Sequence, residues 1–135
     1  MREQNVTAVR SFFELFGAGK AEEAAATLLA DDFELINLLP EEIPFGGRYR
    51  GAAGFLQYLG EIMAAITMES FEVDEIFGDG DRVTVVGREV SSVQATGRRY
   101  EMDWVHVFRV VDGLIQEMRE YNDTARMLAA FQADR

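Results

Sequence analysis

The single histidine, His106, stands in the alternating run Met102, Trp104, His106, Phe108, Val110, whose other members are apolar. An imidazole on such a face can move protons near neutral pH or donate to a bound carbonyl, or it can be a core side chain satisfied by a neighbour. Two-residue turns at Thr96-Gly97 and Asp112-Gly113 bring strands to both sides of this run. In that register Gly87, Glu89 and Ser91 fall opposite His106, Trp104 and Met102 on one side. Arg119, Tyr121 and Asp123 fall opposite the same three residues on the other.

Glu89 therefore enters the same interior, where burial raises a carboxyl's proton affinity into the range of a general acid or base; after a register slip it is an exposed strand carboxylate. Asp123 is either a second interior carboxylate or the N-cap of a helix opening at Thr124, and one aspartate can do both. Asn37, in Leu35-Ile36-Asn37-Leu38-Leu39, is a buried amide able to orient a water or a ligand oxygen, or a turn residue before Pro40. Phe12, Phe55, Met102, Trp104 and Tyr121 give the core or the pocket wall its bulk, which suits an apolar ligand. A bulge would flip every side chain beyond it. The spacing of Ile115 and Met118 hints at one, so the placement of Arg119, Tyr121 and Asp123 depends on it.

The elements that must hold these residues follow from periodicity. Val6, Val9, Phe13 and Phe16 predict a helix over Gln4 to Phe16, ended by Gly17 and Gly19. A second helix is predicted from Ala21 to Ala30, and a short strand from Phe33 to Leu38. Two prolines and Gly46-Gly47 make Leu39 to Arg50 a long loop carrying Ile43, Phe45 and Tyr49. A third helix, Gly51 to Thr67, shows the stripe Phe55, Leu59, Ile62, Met63 and Ile66. Strands then follow at Phe71 to Phe77, Arg82 to Gln94, Arg99 to Val111 and Leu114 to Asn122, before a last helix from Thr124 to Ala133. Helices first and then a meander predict an α+β fold, a curved antiparallel sheet wrapped around three to four helices.

The chain has 135 residues, 48% of them hydrophobic, the usual size of one domain with its own core. Thirteen basic against twenty-four acidic residues give a net charge of -11, which disfavours nucleic acid and anionic membranes as partners. With no cysteine and one histidine, thiolate and nitrogen-rich metal sites are out of reach and only oxygen-ligand metals remain conceivable; neither a metal nor a cofactor is expected. No run of about 18 apolar residues exists, and Met1-Arg2-Glu3-Gln4-Asn5 lacks a signal's apolar stretch, so a cytoplasmic location is expected. Val86, Val90, Val105 and Val107 on the outer sheet face, among Arg88, Asp103 and Arg109, predict a homodimer through that face, or cover by the chain's own segments.

The element order resembles the nuclear-transport-factor-2-like cone, the resemblance covers almost the whole chain, and residues 1–135 are read as one domain. The closing segment from Val105 through the Asp112-Gly113 turn to Ile115 looks like that of SnoaL-like polyketide cyclases and limonene epoxide hydrolases. The resemblance implies an interior pocket. The hydrolases' aspartate, arginine, aspartate triad lays onto Glu89, Gly87 and Asp123, and of their water-holding asparagine and tyrosine only the asparagine has a match, in Asn37, with Leu35 at the tyrosine's place. The triad lacks its arginine. Ketosteroid isomerase positions fall on Phe12, Asn37 and His106, whereas the cyclase pattern matches Asp123 and His106. The implied function is a small-molecule pocket protein, a cofactor-free acid/base cyclase, isomerase or hydrolase of an apolar organic substrate. The alternatives are a module of the same fold that binds a hydrophobic ligand unchanged, and a protein-interaction dimer whose cone is merely core.

Overall fold

The computed structural model describes residues 2–132. Helix α1 (Arg2–Gly17) and helix α2 (Ala21–Leu28) lead into strand β1 (Leu29–Asn37), then strand β2 (Gly47–Arg50) and helix α3 (Gly51–Ala65). Strands β3 (Ile66–Asp79), β4 (Arg82–Val93), β5 (Arg99–Val111) and β6 (Leu114–Tyr121) form the meander, and helix α4 (Thr124–Phe131) follows. Ala133, where the sequence ends the last helix, lies outside the described residues. Among those residues no helix is long and apolar enough to cross a membrane.

The six strands lie in the order β2-β1-β6-β5-β4-β3. The sheet is mixed and not purely antiparallel: β1 and β6 run parallel, while every other neighbouring pair is antiparallel. The reason is topological. The meander adds its strands inward from the β3 edge, and its last strand meets β1 pointing the same way. Leu29 and Ala30, expected to end α2, instead open β1, with Leu29 beside Ile115. The expected loop from Leu39 to Arg50 contains β2, whose buried Tyr49 pairs with Leu35 between the exposed Arg48 and Arg50.

The helices cover one face of the sheet through their apolar stripes. Val9 and Phe12 of α1 and Phe55 and Tyr58 of α3 are at most 2% exposed, and they meet Phe33, Phe108 and Ile115 from the strands. Fully burying a phenylalanine contributes about 1.5–3 kcal/mol, so these aromatics dominate the core. Met63, expected on the α3 stripe, points to solvent at 74% exposure. On the opposite sheet face Val86, Val90, Val105 and Val107 are half-buried, and Arg88 bridges Glu72 and Asp74.

Two turns fix the registers that matter. Asp112 and Gly113 both take positive φ, as a two-residue hairpin of mirror-image type requires, and Val111 pairs with Leu114 as expected. The β4–β5 connection instead spans Gln94 to Gly97, closed by Val93 N–H donating to the Arg98 carbonyl. The pairing slides by two residues, placing Gly87 opposite Trp104 and Glu89 opposite Met102. A slide of two preserves side-chain parity, so Glu89 still faces the helices.

Candidate active site

The helices and the inner sheet face enclose about 540 Å³ of atom-free space, open solvent at its mouth included. Its apolar wall includes Phe12, Phe13, Phe55, Ile62, Met102 and Met118, and its polar groups are Asn37, Tyr58, Glu89, His106, Glu120 and Asn122. Among the described residues no lysine or arginine lines it. Among the described residues no group of three or more His, Cys, Asp or Glu side chains is placed to hold a metal ion.

Strand β6 decides which acid enters. Arg109 pairs with Glu117 but Val110 pairs with Ile115, so Gln116 is an extra residue that bulges from the ladder. Beyond the bulge parity is inverted: Met118 and Glu120 turn inward and Glu120 pairs with His106. His106 Nε2 lies 3.2 Å from Glu120 Oε1, and their side chains are only 5% and 10% exposed. His106 Nδ1 is buried without a hydrogen-bond partner. The ring itself is stacked on Trp104, at 4.1 Å between centroids, with Phe13 at 6.0 Å in a nearly parallel plane. A carboxylate at Nε2 holds the ring proton there and leaves the Nδ1 lone pair for a ligand.

Glu89 forms a second centre. Its Oε2 accepts from Ser91 Oγ at 2.7 Å and from Tyr100 Oη at 2.9 Å. Burial pushes the Glu89 carboxyl up, the two hydrogen bonds oppose this, and the negative charge of Glu120 adds to it. The Tyr100 hydroxyl, itself raised by burial and then by Glu89, keeps its proton.

The raised Glu89 has a thermodynamic consequence. Because the folded protein binds this proton more tightly than the unfolded chain does, the contribution is fully present below the unfolded carboxylate value and is lost as pH rises through the folded one. Glu89→Gln, whose amide oxygen can still accept from Ser91 and Tyr100, is therefore expected to gain stability relative to the parent protein between about pH 4 and pH 8. Urea midpoints across that range measure it, and parallel curves would contradict the assignment.

A third group of polar side chains joins α3 to the ends of β1 and β6. Asn122 Nδ2 donates to Asn37 Oδ1 at 3.0 Å, and Asn37 Nδ2 donates to Tyr58 Oη at 2.9 Å. The Tyr58 hydroxyl is held well above its ordinary value by burial, then by the charge of Glu120 and by donation to it.

The expected site residues separate accordingly. His106, Glu89, Asn37, Phe12, Phe55 and Met102 come together on the cavity. Tyr121 and Asp123 do not, because the Gln116 bulge turns them away: Tyr121 is 54% exposed, and Asp123 caps α4, accepting from Arg126 N–H at 3.2 Å. Arg119 pairs with Glu117 outside. Trp104 lies one layer behind His106, over Gly87, with Phe71 stacked on it at 4.8 Å. Glu120, Tyr58 and Asn122 escaped sequence reasoning. The spacing of Ile115 and Met118 carried the signal for Glu120, since counting on from Met118 by two reaches it.

A family model described as a SnoaL-like domain matches residues 9–118. The chain is similar to the aklanonic acid methyl ester cyclase DauD of Streptomyces sp. (strain C5), with 27% identity over 124 residues, 85% of this chain and 73% of that protein. It is similar in structure to an NTF2-like protein from Burkholderia xenovorans LB400, with a TM-score of 0.86 and 31% identity over 98% of each chain. A second NTF2-like structure, from Burkholderia thailandensis E264, has a TM-score of 0.86 at 23% identity, covering 95% of this chain and 97% of that one.

Proposed function

The chain belongs to the SnoaL-like domain family, on the NTF2-like fold, and from that premise we propose that it is a cofactor-free acid/base enzyme, a cyclase or isomerase of apolar carbonyl compounds. One observation carries the reading: a buried histidine held by a carboxylate at one ring nitrogen and without a partner at the other, on the wall of an aromatic cavity.

His106 Nδ1 takes a proton from a carbon flanked by carbonyl groups, and Glu120 stabilises the imidazolium that forms. The enolate carbon attacks a second carbonyl of the same molecule; a carbon–carbon bond forms and the carbonyl π pair moves onto oxygen. Glu89, whose hold on a proton burial strengthens, gives that alkoxide its proton. The imidazolium then returns a proton to the Glu89 carboxylate, directly or through a water, so the net change is an isomerisation. The name of DauD, a methyl ester cyclase, supports ring closure as the reaction class. A wall bearing Glu89 and Glu120 and, among the described residues, no lysine or arginine favours a neutral substrate over a carboxylate.

Gly87, standing where the epoxide hydrolase pattern has its arginine, supports a second reading, a module that holds an apolar metabolite unchanged. Incubating the protein in D₂O with a panel of aromatic 1,3-diketones separates the two. Enzyme-dependent deuterium uptake at the carbon between the carbonyls is the expected result, and saturable binding without uptake after long incubation would replace catalysis by storage. Native mass spectrometry of the freshly purified protein reports any retained ligand. The same spectrum tests the homodimer that the outer-face valines support.

A further inference from the structure

Two hydroxyl groups donate to one oxygen of Glu89. Ser91 Oγ and Tyr100 Oη reach Oε2 at 2.7 and 2.9 Å, and among the described residues none donates to Oε1. The arrangement follows from strand geometry: Ser91 is two residues beyond Glu89 on the inner face of β4, and Tyr100 is its register partner on β5. Both donors are buried, yet neither is among the described residues that line the cavity. Substrate there meets Glu89 and not the donors behind it. A protonated carboxyl has one carbonyl oxygen, free to accept, and one hydroxyl oxygen, which carries the proton. Two donors on Oε2 make it the carbonyl oxygen and leave the transferable proton on Oε1. The opposite arrangement, with the proton on Oε2, requires Ser91 or Tyr100 to turn its own proton away and accept.

We infer that Ser91 and Tyr100 are positioning residues that hold Oε2 of Glu89, direct its proton to the cavity through Oε1, and brace the carboxylate left once that proton is given up. The inference rests on the acid/base reading of this cavity. Both bonds strengthen as Glu89 becomes an anion, because an ionised acceptor is bound about twice as strongly as a neutral one. They act on the side that gives the proton as oxyanion donors act on the side that develops charge. Other charges bear on the same carboxyl. His106 from β5, Glu120 from β6 and Tyr58 from α3 face it from the interior. On the solvent side it borders a cleft with Glu72, Arg88, Glu101, Asp103, Asp123 and Arg126. Among the described residues only Ser91 and Tyr100 donate to it, so replacing either removes one bond and leaves the surrounding charges in place.

The test is infrared and NMR spectroscopy of the ligand-free protein labelled with heavy carbon at its glutamate carboxyls, with Glu89→Gln as the reference that assigns the Glu89 signal. Tyr100→Phe and Ser91→Ala each remove one donor and nearly keep the packing volume. Each is expected to raise the carbonyl stretching frequency of neutral Glu89, since the freed bond stiffens, and to keep its proton to a higher pH than in the parent protein. In the ring closure of a phenyl 1,3,7-triketone, each should lower kcat roughly 10-fold, the worth of one hydrogen bond to an ion. KM should hold, and the alkaline limb of the rate profile should move to higher pH. Ser91→Ala decides alone if Tyr100→Phe does not fold. An unmoved carbonyl frequency would place the proton on Oε2 and overturn the inference, as would lowered melting temperatures with the titration in place. A moved frequency and titration in a protein that closes no ring would leave both donors in their role toward Glu89 and remove the proposed chemistry instead.

Discussion

Glu120→Gln is expected to slow carbon deprotonation by about 10²- to 10⁴-fold, the usual range for loss of a positioned acid or base. The substituted amide is nearly isosteric, so the cavity wall persists, yet it brings no negative charge to the imidazole 3.2 Å away. The imidazolium formed at the transition state then lies uncompensated among buried side chains. The loss should fall on kcat, with KM little changed, because the interaction strengthens only as the proton is transferred. His106→Ala should cost at least as much. Asp123→Ala supplies the contrast: it removes the cap on Arg126 N–H, costing about 1 kcal/mol of stability, and leaves kcat near the parent value. Steady-state kinetics of the three variants decide the matter. Loss of turnover in Asp123→Ala with full turnover in Glu120→Gln would restore the assignment read from the sequence and discard the one read from the structure.

The second large effect concerns the layer behind the histidine. A Cβ at Gly87 would lie 2.2 Å from Trp104 Cζ2 and 2.3 Å from the Glu72 carbonyl oxygen, distances that no side chain tolerates. The carbonyl belongs to the neighbouring strand and cannot swing away, so the indole must leave its place on Phe71 and His106. Gly87→Ala is expected to cost about 1–3 kcal/mol or more by overpacking, a fall of roughly 4–11 °C or more in melting temperature. Pairing it with Trp104→Leu, which vacates the space, should recover part of the loss. Thermal denaturation of the single and double variants measures both, and an unchanged midpoint in Gly87→Ala would refute the packing described here.

Strand parity was the most legible part of the site. The alternation of Met102, Trp104, His106, Phe108 and Val110 fixed the inner face of β5, and the error of two in the β4–β5 turn did no harm because parity repeats every two residues. The one-residue bulge at Gln116 is the opposite case. A single extra residue exchanges the faces of everything beyond it, and so Glu120 came inward while Tyr121 and Asp123, expected there, did not. Local spacing hints at such a bulge, but its position is chosen by long-range pairing with β5. Strand β2 was hidden because four residues with arginines on both sides of Tyr49 carry too short an alternation to register as a strand. Tyr58 sat in view, three residues beyond Phe55 on the same helical face, but its chemistry depends on Asn37, and their meeting requires the fold.

The stack of Trp104 on His106 has a further consequence, in optical behaviour. This is the single tryptophan of the chain, and its indole lies 4.1 Å from the imidazole. An imidazolium in contact with an indole quenches its emission, whereas a neutral imidazole does so far less. The protein thus carries its own lamp beside the proton it handles, and its brightness follows the charge on one ring without a label.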